Sequence, residues 1–79
     1  MTFDVVLSPQ ALKFLQRQDL HIQQRIRKAL RLLVDPFSVL EHFEGEYYKL
    51  RIGGYRALCD IDQKTVLVRI LEHRGRVYK

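Results

Sequence analysis

The chain has 79 residues, 47% of them hydrophobic and 29% charged, and a formal net charge of +5. That describes one globular domain over residues 1–79 with a modest core, and it excludes a disordered tail. A single cysteine excludes an internal disulfide framework and cysteine-based zinc knuckles or ribbons.

No apolar run approaches the roughly 18 residues of a membrane helix, so no membrane partner is expected. The start, MTFDVVLSPQ, has an acid at Asp4 and no basic segment, which does not read as a signal peptide. A cytoplasmic location is the expectation. Bases and acids balance over residues 1–46, so the whole positive excess lies in residues 47–79. Clustered bases suit a polyanionic partner such as RNA, DNA or an acidic peptide.

In chain order, residues 3–7 are β-rich and predict a first strand. Ser8-Pro9 supplies an N-cap followed by proline at the first helical position. A helix is expected from there to near Gln18, with Ala11, Leu12, Phe14 and Leu15 on its apolar side. Asp19 is placed to cap a second helix, in which Ile22, Ile26, Ala29, Leu30 and Leu33 recur at helical spacing. Asp35-Pro36 stops it.

Residues 47–52, 55–61 and 65–71 are β-rich runs separated by Gly53-Gly54 and Asp62-Gln63-Lys64, both hairpin signals. Alternation puts Tyr48, Leu50, Ile52, Tyr55, Ala57, Cys59 and Ile61 on one face. Tyr47, Lys49, Arg51, Arg56, Leu58 and Asp60 take the other. The predicted fold is α+β, ordered β-α-α-β-β-β, with a helical hairpin packed on one face of a small, mainly antiparallel sheet. The other face is expected to be solvated and to carry Lys49, Arg51 and Arg56 close together.

That basic face reads either as a solvated surface or as a phosphate-binding site. Crowded cations repel, and they lower one another's pKa, which brings a lysine nearer the range of a general base. The C-terminal run 72–79 is expected to leave the last strand beside those bases, adding His73, Arg74, Arg76 and Tyr78. Arginine grips phosphate bidentately and tyrosine stacks on bases. The plainer alternative makes His73 a surface histidine and Tyr78 a hydrophobic tack for the terminus.

Other features read as structural. Gly53-Gly54 lacks the surroundings of a phosphate cradle and is a turn. His21, His42 and His73 lack metal-ligand spacing. Cys59 reads as a small buried hydrophobe. Glu41, Glu44 and Glu46 form a charged loop or a carboxylate pair. Gln24, Arg27, Lys28 and Arg31 share one helix face, which is either solvated or grips phosphates or a partner.

The segment Tyr48-Lys49-Leu50-Arg51-Ile52-Gly53-Gly54-Tyr55-Arg56, followed by His73-Arg74 and Val77-Tyr78, resembles the RelE/ParE superfamily of toxin–antitoxin toxins. The strand, Ser-Pro and helical hairpin at the start are similar too. The RelE branch implies a ribosome-dependent endoribonuclease that needs no metal and no cofactor, in which the RNA 2′-hydroxyl attacks its neighbouring phosphate. The resemblance implies Lys49 and Arg51 as the strand-borne bases, Arg56 as the phosphate-gripping arginine and Arg74 as a second one. It implies Tyr78 near the reacting nucleotides and His73 in proton transfer. Arginine stays protonated, so Lys49 is the better base of the strand pair. The implied partners are a cognate antitoxin protein, the ribosome and mRNA. A ParE-like inhibitor of DNA gyrase and a non-catalytic basic binding module are the alternatives.

Overall fold

The computed structural model describes residues 2–74. Strand β1 (Asp4–Leu7) leads through Ser8 into helix α1 (Pro9–Gln16) and then helix α2 (Leu20–Leu30). Short 3₁₀ turns at Arg31–Val34 and Pro36–Ser38 connect to β2 (Glu41–His42), β3 (Tyr48–Ile52), β4 (Tyr55–Asp62) and β5 (Thr65–His73). The five strands form one sheet in the order β1-β5-β4-β3-β2. Only the β1–β5 pairing is parallel among those described; the other three are antiparallel. The α+β architecture, the helical hairpin on one face and the mainly antiparallel sheet are as expected. The two-residue strand β2 was not foreseen, because its pairing with β3 leaves no periodic pattern in the sequence.

Ser8 explains the join between strand and helix. Its hydroxyl accepts from the Ala11 amide at 3.1 Å, as an N-cap does, and donates to the Arg69 carbonyl at 2.6 Å. Beyond β1 the outer edge of β5 is completed by a side chain. Gln10 donates through Nε2 to the Leu71 carbonyl (3.2 Å) and accepts the Leu71 amide on Oε1 (3.0 Å). One glutamine thereby stands in for a strand residue at an otherwise open edge.

The core lies between helices and sheet. Ala11, Leu15, Ile26, Leu30 and Leu33 meet Leu50, Ile52, Ala57, Cys59, Val66, Val68 and Leu71 there. Both periodicity readings hold for this face, except that Leu12 is exposed. Helix α1 ends at Gln16, and α2 gives way at Arg31 to a tighter 3₁₀ turn that carries Leu33 into the core ahead of Pro36. Asp19 occupies the N-cap position of α2 but makes no side-chain cap hydrogen bond. Its carbonyl takes the Gln23 amide, while the Gln23 side chain secures the interhelical turn through the Gln18 carbonyl at 2.9 Å.

One irregularity in the sheet decides what the site contains. Along β4 and β5, Leu58 pairs with Ile70 but Cys59 pairs with Val68, so Arg69 is an extra residue on β5. The bulge inverts the alternation beyond it. Val66 and Val68 face the helices before it, and Leu71 and His73 do so after it.

Candidate functional site

The open face of the sheet is built on β3, β4 and the far half of β5. Lys49 and Arg51 alternate with Leu50 and Ile52, whose burial against the helices forces the two bases outward. Arg56 stands directly opposite Arg51 across the β3–β4 hairpin. Gly53, at φ +59°, lets that hairpin close in two residues.

The face is more covered than the solvated one expected. The chain between β2 and β3 lays Phe43 across it, held by a hydrogen bond from the Phe43 amide to the Tyr47 carbonyl at 2.9 Å. The Phe43 ring lies 5.3 Å from Lys49 Nζ and 5.2 Å from Arg56 Cζ, so both cations gather on one aromatic platform. Leu58 is buried on this same side, between its strand neighbours Lys49 and Ile70.

Carboxylates also enter the face. Lys49 Nζ lies 3.8 Å from Glu41, Arg69 Nε donates to Asp60 at 2.7 Å, and Arg56 Nε donates to Glu72 at 2.5 Å. The hydrogen bond that Arg69 donates to Asp60 is the chief reason its guanidinium is held above its ordinary pKa. Asp60 had been placed on this face, and Glu41 in a charged loop with Glu44 and Glu46; Glu41 stands in β2, opposite Lys49.

The residues singled out in the sequence separate into groups. Lys49, Arg51 and Arg56 share the open face. Arg74 folds back on the hairpin: its amide donates to the Gly54 carbonyl at 2.6 Å and its Nη1 to the Gly53 carbonyl at 3.1 Å. Arg25 approaches the same turn from α2, with Nη1 3.6 Å from where a β-carbon on Gly53 would stand. His73 does not join the bases. It is the last residue of β5, on the helix side of the sheet, with its ring 4.8 Å from that of Tyr55, which in turn packs edge-on against Phe14. The expectation that the chain leaves the sheet before His73 fails because β5 runs two residues further, and the bulge turns His73 inward. Tyr78 and Arg76 lie outside the described residues.

Sequence reasoning missed Phe43, Glu72 and Arg25. Phe43 sits in no periodic element, and Glu72 reaches the basic face only through the bulge. Arg25 stands one residue outside the α2 face that had been singled out. Cys59 is buried, as expected, and burial pushes its thiol up to about 12. Among the described residues no group of three or more histidines, cysteines and carboxylates could hold a metal ion. No described helix is long and apolar enough to cross a membrane.

A sequence pattern described as ParE toxin of type II toxin-antitoxin system, parDE, matches residues 5–78. The chain belongs to the ParE toxin family. It is therefore the toxin of a toxin–antitoxin pair, within the RelE/ParE superfamily that its motifs resemble. No curated protein matches it. Among solved structures, this toxin is similar to the toxin–antitoxin complex RelBE2 of Mycobacterium tuberculosis, at 22% identity and TM-score 0.82, covering 94% of this chain and 100% of that one. The archaeal RelE–RelB complex of Pyrococcus horikoshii matches at 24% identity and TM-score 0.78, over 98% and 100% of the two chains. The intact RelBE complex of E. coli matches at 23% identity and TM-score 0.71, over 94% and 99%. At these identities the likeness establishes the shared fold.

Proposed function

We propose that this toxin is a ribosome-dependent endoribonuclease that cleaves mRNA by 2′-hydroxyl attack on the adjacent phosphate. The observation that carries the reading is the gathering of Lys49 and Arg56 on the Phe43 ring, with Arg51 opposite Arg56. In-line attack needs a group that takes the 2′-proton, cations facing the charge that grows on the phosphorane, and a donor for the departing 5′-oxygen. Among the three bases of this face, Lys49 is the one able to release and accept a proton, since arginines remain charged. Arg56 and Arg51 supply the fixed positive field, and Arg74 extends it around the hairpin. Tyr78 stacks on a nucleotide beside the reacting bond. We assign His73 a supporting place beneath Tyr55 in preference to direct proton transfer, because it faces the helices. The reaction as drawn asks for no metal or cofactor.

The partners in this reading are the ribosome with its mRNA, met in the cytoplasm, and a cognate antitoxin that silences the toxin. The similar structures from M. tuberculosis, P. horikoshii and E. coli are themselves toxin–antitoxin complexes. A groove of about 460 Å³ between β1 and α2, floored by Val5, Leu7, Leu15 and Leu30 and rimmed by Arg27 and Arg31, supports the docking of such a protein.

Primer extension on mRNA translated in a cell-free extract tests the reading. New breaks at fixed codon positions are expected only with ribosomes present, and none with the Lys49→Ala/Arg56→Ala double variant. Intact mRNA and normal translation in the presence of folded toxin would overturn it. The family match to ParE toxins favours one second reading, inhibition of DNA gyrase by binding. Loss of supercoiling activity in a purified gyrase assay, with mRNA left whole, would select it.

A further inference from the structure

Arg56 is held from two sides. Across β4 and β5 its directly opposed partner Glu72 accepts the Nε–H at 2.5 Å, and the Phe43 ring lies 5.2 Å from its Cζ. Both members of the ion pair stay open to solvent, with side chains 31% and 37% exposed. A guanidinium has five N–H donors in a rigid fork; Glu72 takes Nε, and among the described residues no hydrogen bond occupies the two Nη groups, which leaves them as an edge for an anion.

We propose that Glu72 is a positioning residue that, with Phe43 behind the guanidinium, fixes Arg56 so that its Nη edge meets an RNA phosphate. The phosphate as ligand rests on the ribonuclease reading above; the holding of Arg56 does not. Glu72 is on this face because of the Arg69 bulge, without which its position would turn toward the helices.

Two effects of Glu72 have opposite signs, and that makes its role measurable. Its charge beside the phosphate weakens RNA binding by simple repulsion. Its hydrogen bond saves the phosphate the cost of ordering a long, mobile side chain. If charge alone mattered, removing Glu72 would improve the toxin. If positioning matters, removal slows cleavage even though the face becomes more positive.

The experiment compares wild type, Glu72→Gln and Glu72→Ala, each verified as folded by its circular dichroism, in the ribosomal cleavage assay. In parallel, the ¹⁵N-labelled arginine Nε–H signals are followed by NMR as inorganic phosphate is added. Glu72→Ala is expected to lower kcat at least tenfold with KM unchanged or lower. Glu72→Gln, which retains an acceptor oxygen, is expected to recover most of that loss. The Arg56 Nε–H signal should be sharp in wild type and the Gln variant and broadened by exchange in the Ala variant. Phe43→Ala should lower kcat about threefold. Cleavage by Glu72→Ala equal to or faster than wild type would overturn the proposal, as would an Arg56 signal unchanged by that substitution. If wild type cleaves no mRNA, the ribonuclease reading falls and the NMR arm alone decides. Phosphate perturbation of Arg56 that weakens in Glu72→Ala would then sustain the positioning role, and equal perturbation would overturn it.

Discussion

Arg56 has a direct neighbour on every side within the sheet: Arg51 opposite on β3, Glu72 opposite on β5 and the Phe43 ring above. Its half-buried side chain stands outside the core between helices and sheet, so the fold depends little on it, whereas the proposed phosphate contact depends on it entirely. Arg56→Ala is expected to abolish toxicity on induced expression while the protein remains folded; undiminished growth arrest would remove Arg56 from the site. Tyr78→Phe is expected to cost less toxicity than Tyr78→Ala, since stacking survives in phenylalanine. Equal losses would point to the hydroxyl instead. Cys59 makes a different kind of prediction. Its folded thiol titrates at about 12 against an ordinary 9.0, because burial disfavours the thiolate. The protonated form is thus favoured by folding, and the stability it contributes is complete below pH 9.0 and is lost as pH rises toward 12. Over that window wild type should lose up to about 1.4 kcal/mol per pH unit relative to Cys59→Ala, read from urea midpoints of the two proteins.

At the scale of the element, the join between β1 and α1 concentrates the most bonding on one side chain. Ser8 both caps α1 and ties β5 through the Arg69 carbonyl at the bulge. Ser8→Ala should cost about 1–2 kcal/mol, more than an isolated cap at the low end of its range, because two bonds go together. A loss under about 0.5 kcal/mol in chemical denaturation would show that water replaces both. The β4–β5 turn holds Gln63 at φ +56°, a left-handed conformation that disfavours a side chain. Gln63→Gly should raise stability by about 0.5–1 kcal/mol, the relief of strain exceeding the added freedom of the unfolded chain. The bulge at Arg69 is the element whose effect reaches furthest. One inserted residue exchanges which of Glu72 and His73 belongs to the basic face.

For the whole molecule, charge segregation is the governing feature. Helices cover one face of the sheet with apolar side chains, and the opposite face gathers cations with interspersed carboxylates. If RNA phosphates lie on that face, affinity for single-stranded RNA should fall steeply with salt. Removing one contacting cation should reduce the slope of log K against log salt by about 0.7. Arg51→Ala measured by fluorescence anisotropy over a salt series checks this, and an unaltered slope would place Arg51 outside the contact.

Short-range patterning was enough to place the elements and most of their faces. Residues such as Leu50, Ile52, Ala57 and Cys59 alternate with Lys49, Arg51, Arg56 and Leu58, and a hydrophobic face has only one place to go once two amphipathic helices precede it. The fold class, the hairpin turns and the company of Lys49, Arg51 and Arg56 followed from that short-range periodicity. The remaining features come from register and from contacts between residues far apart in the chain. The parallel pairing of β1 with β5 and the closing of the β5 edge by Gln10 join residues about sixty positions apart, and no local pattern encodes them. The bulge that admits Glu72 and excludes His73 is a property of two strands together. The packing of Phe43 over Lys49 and Arg56 depends on where a loop of no regular period comes to rest.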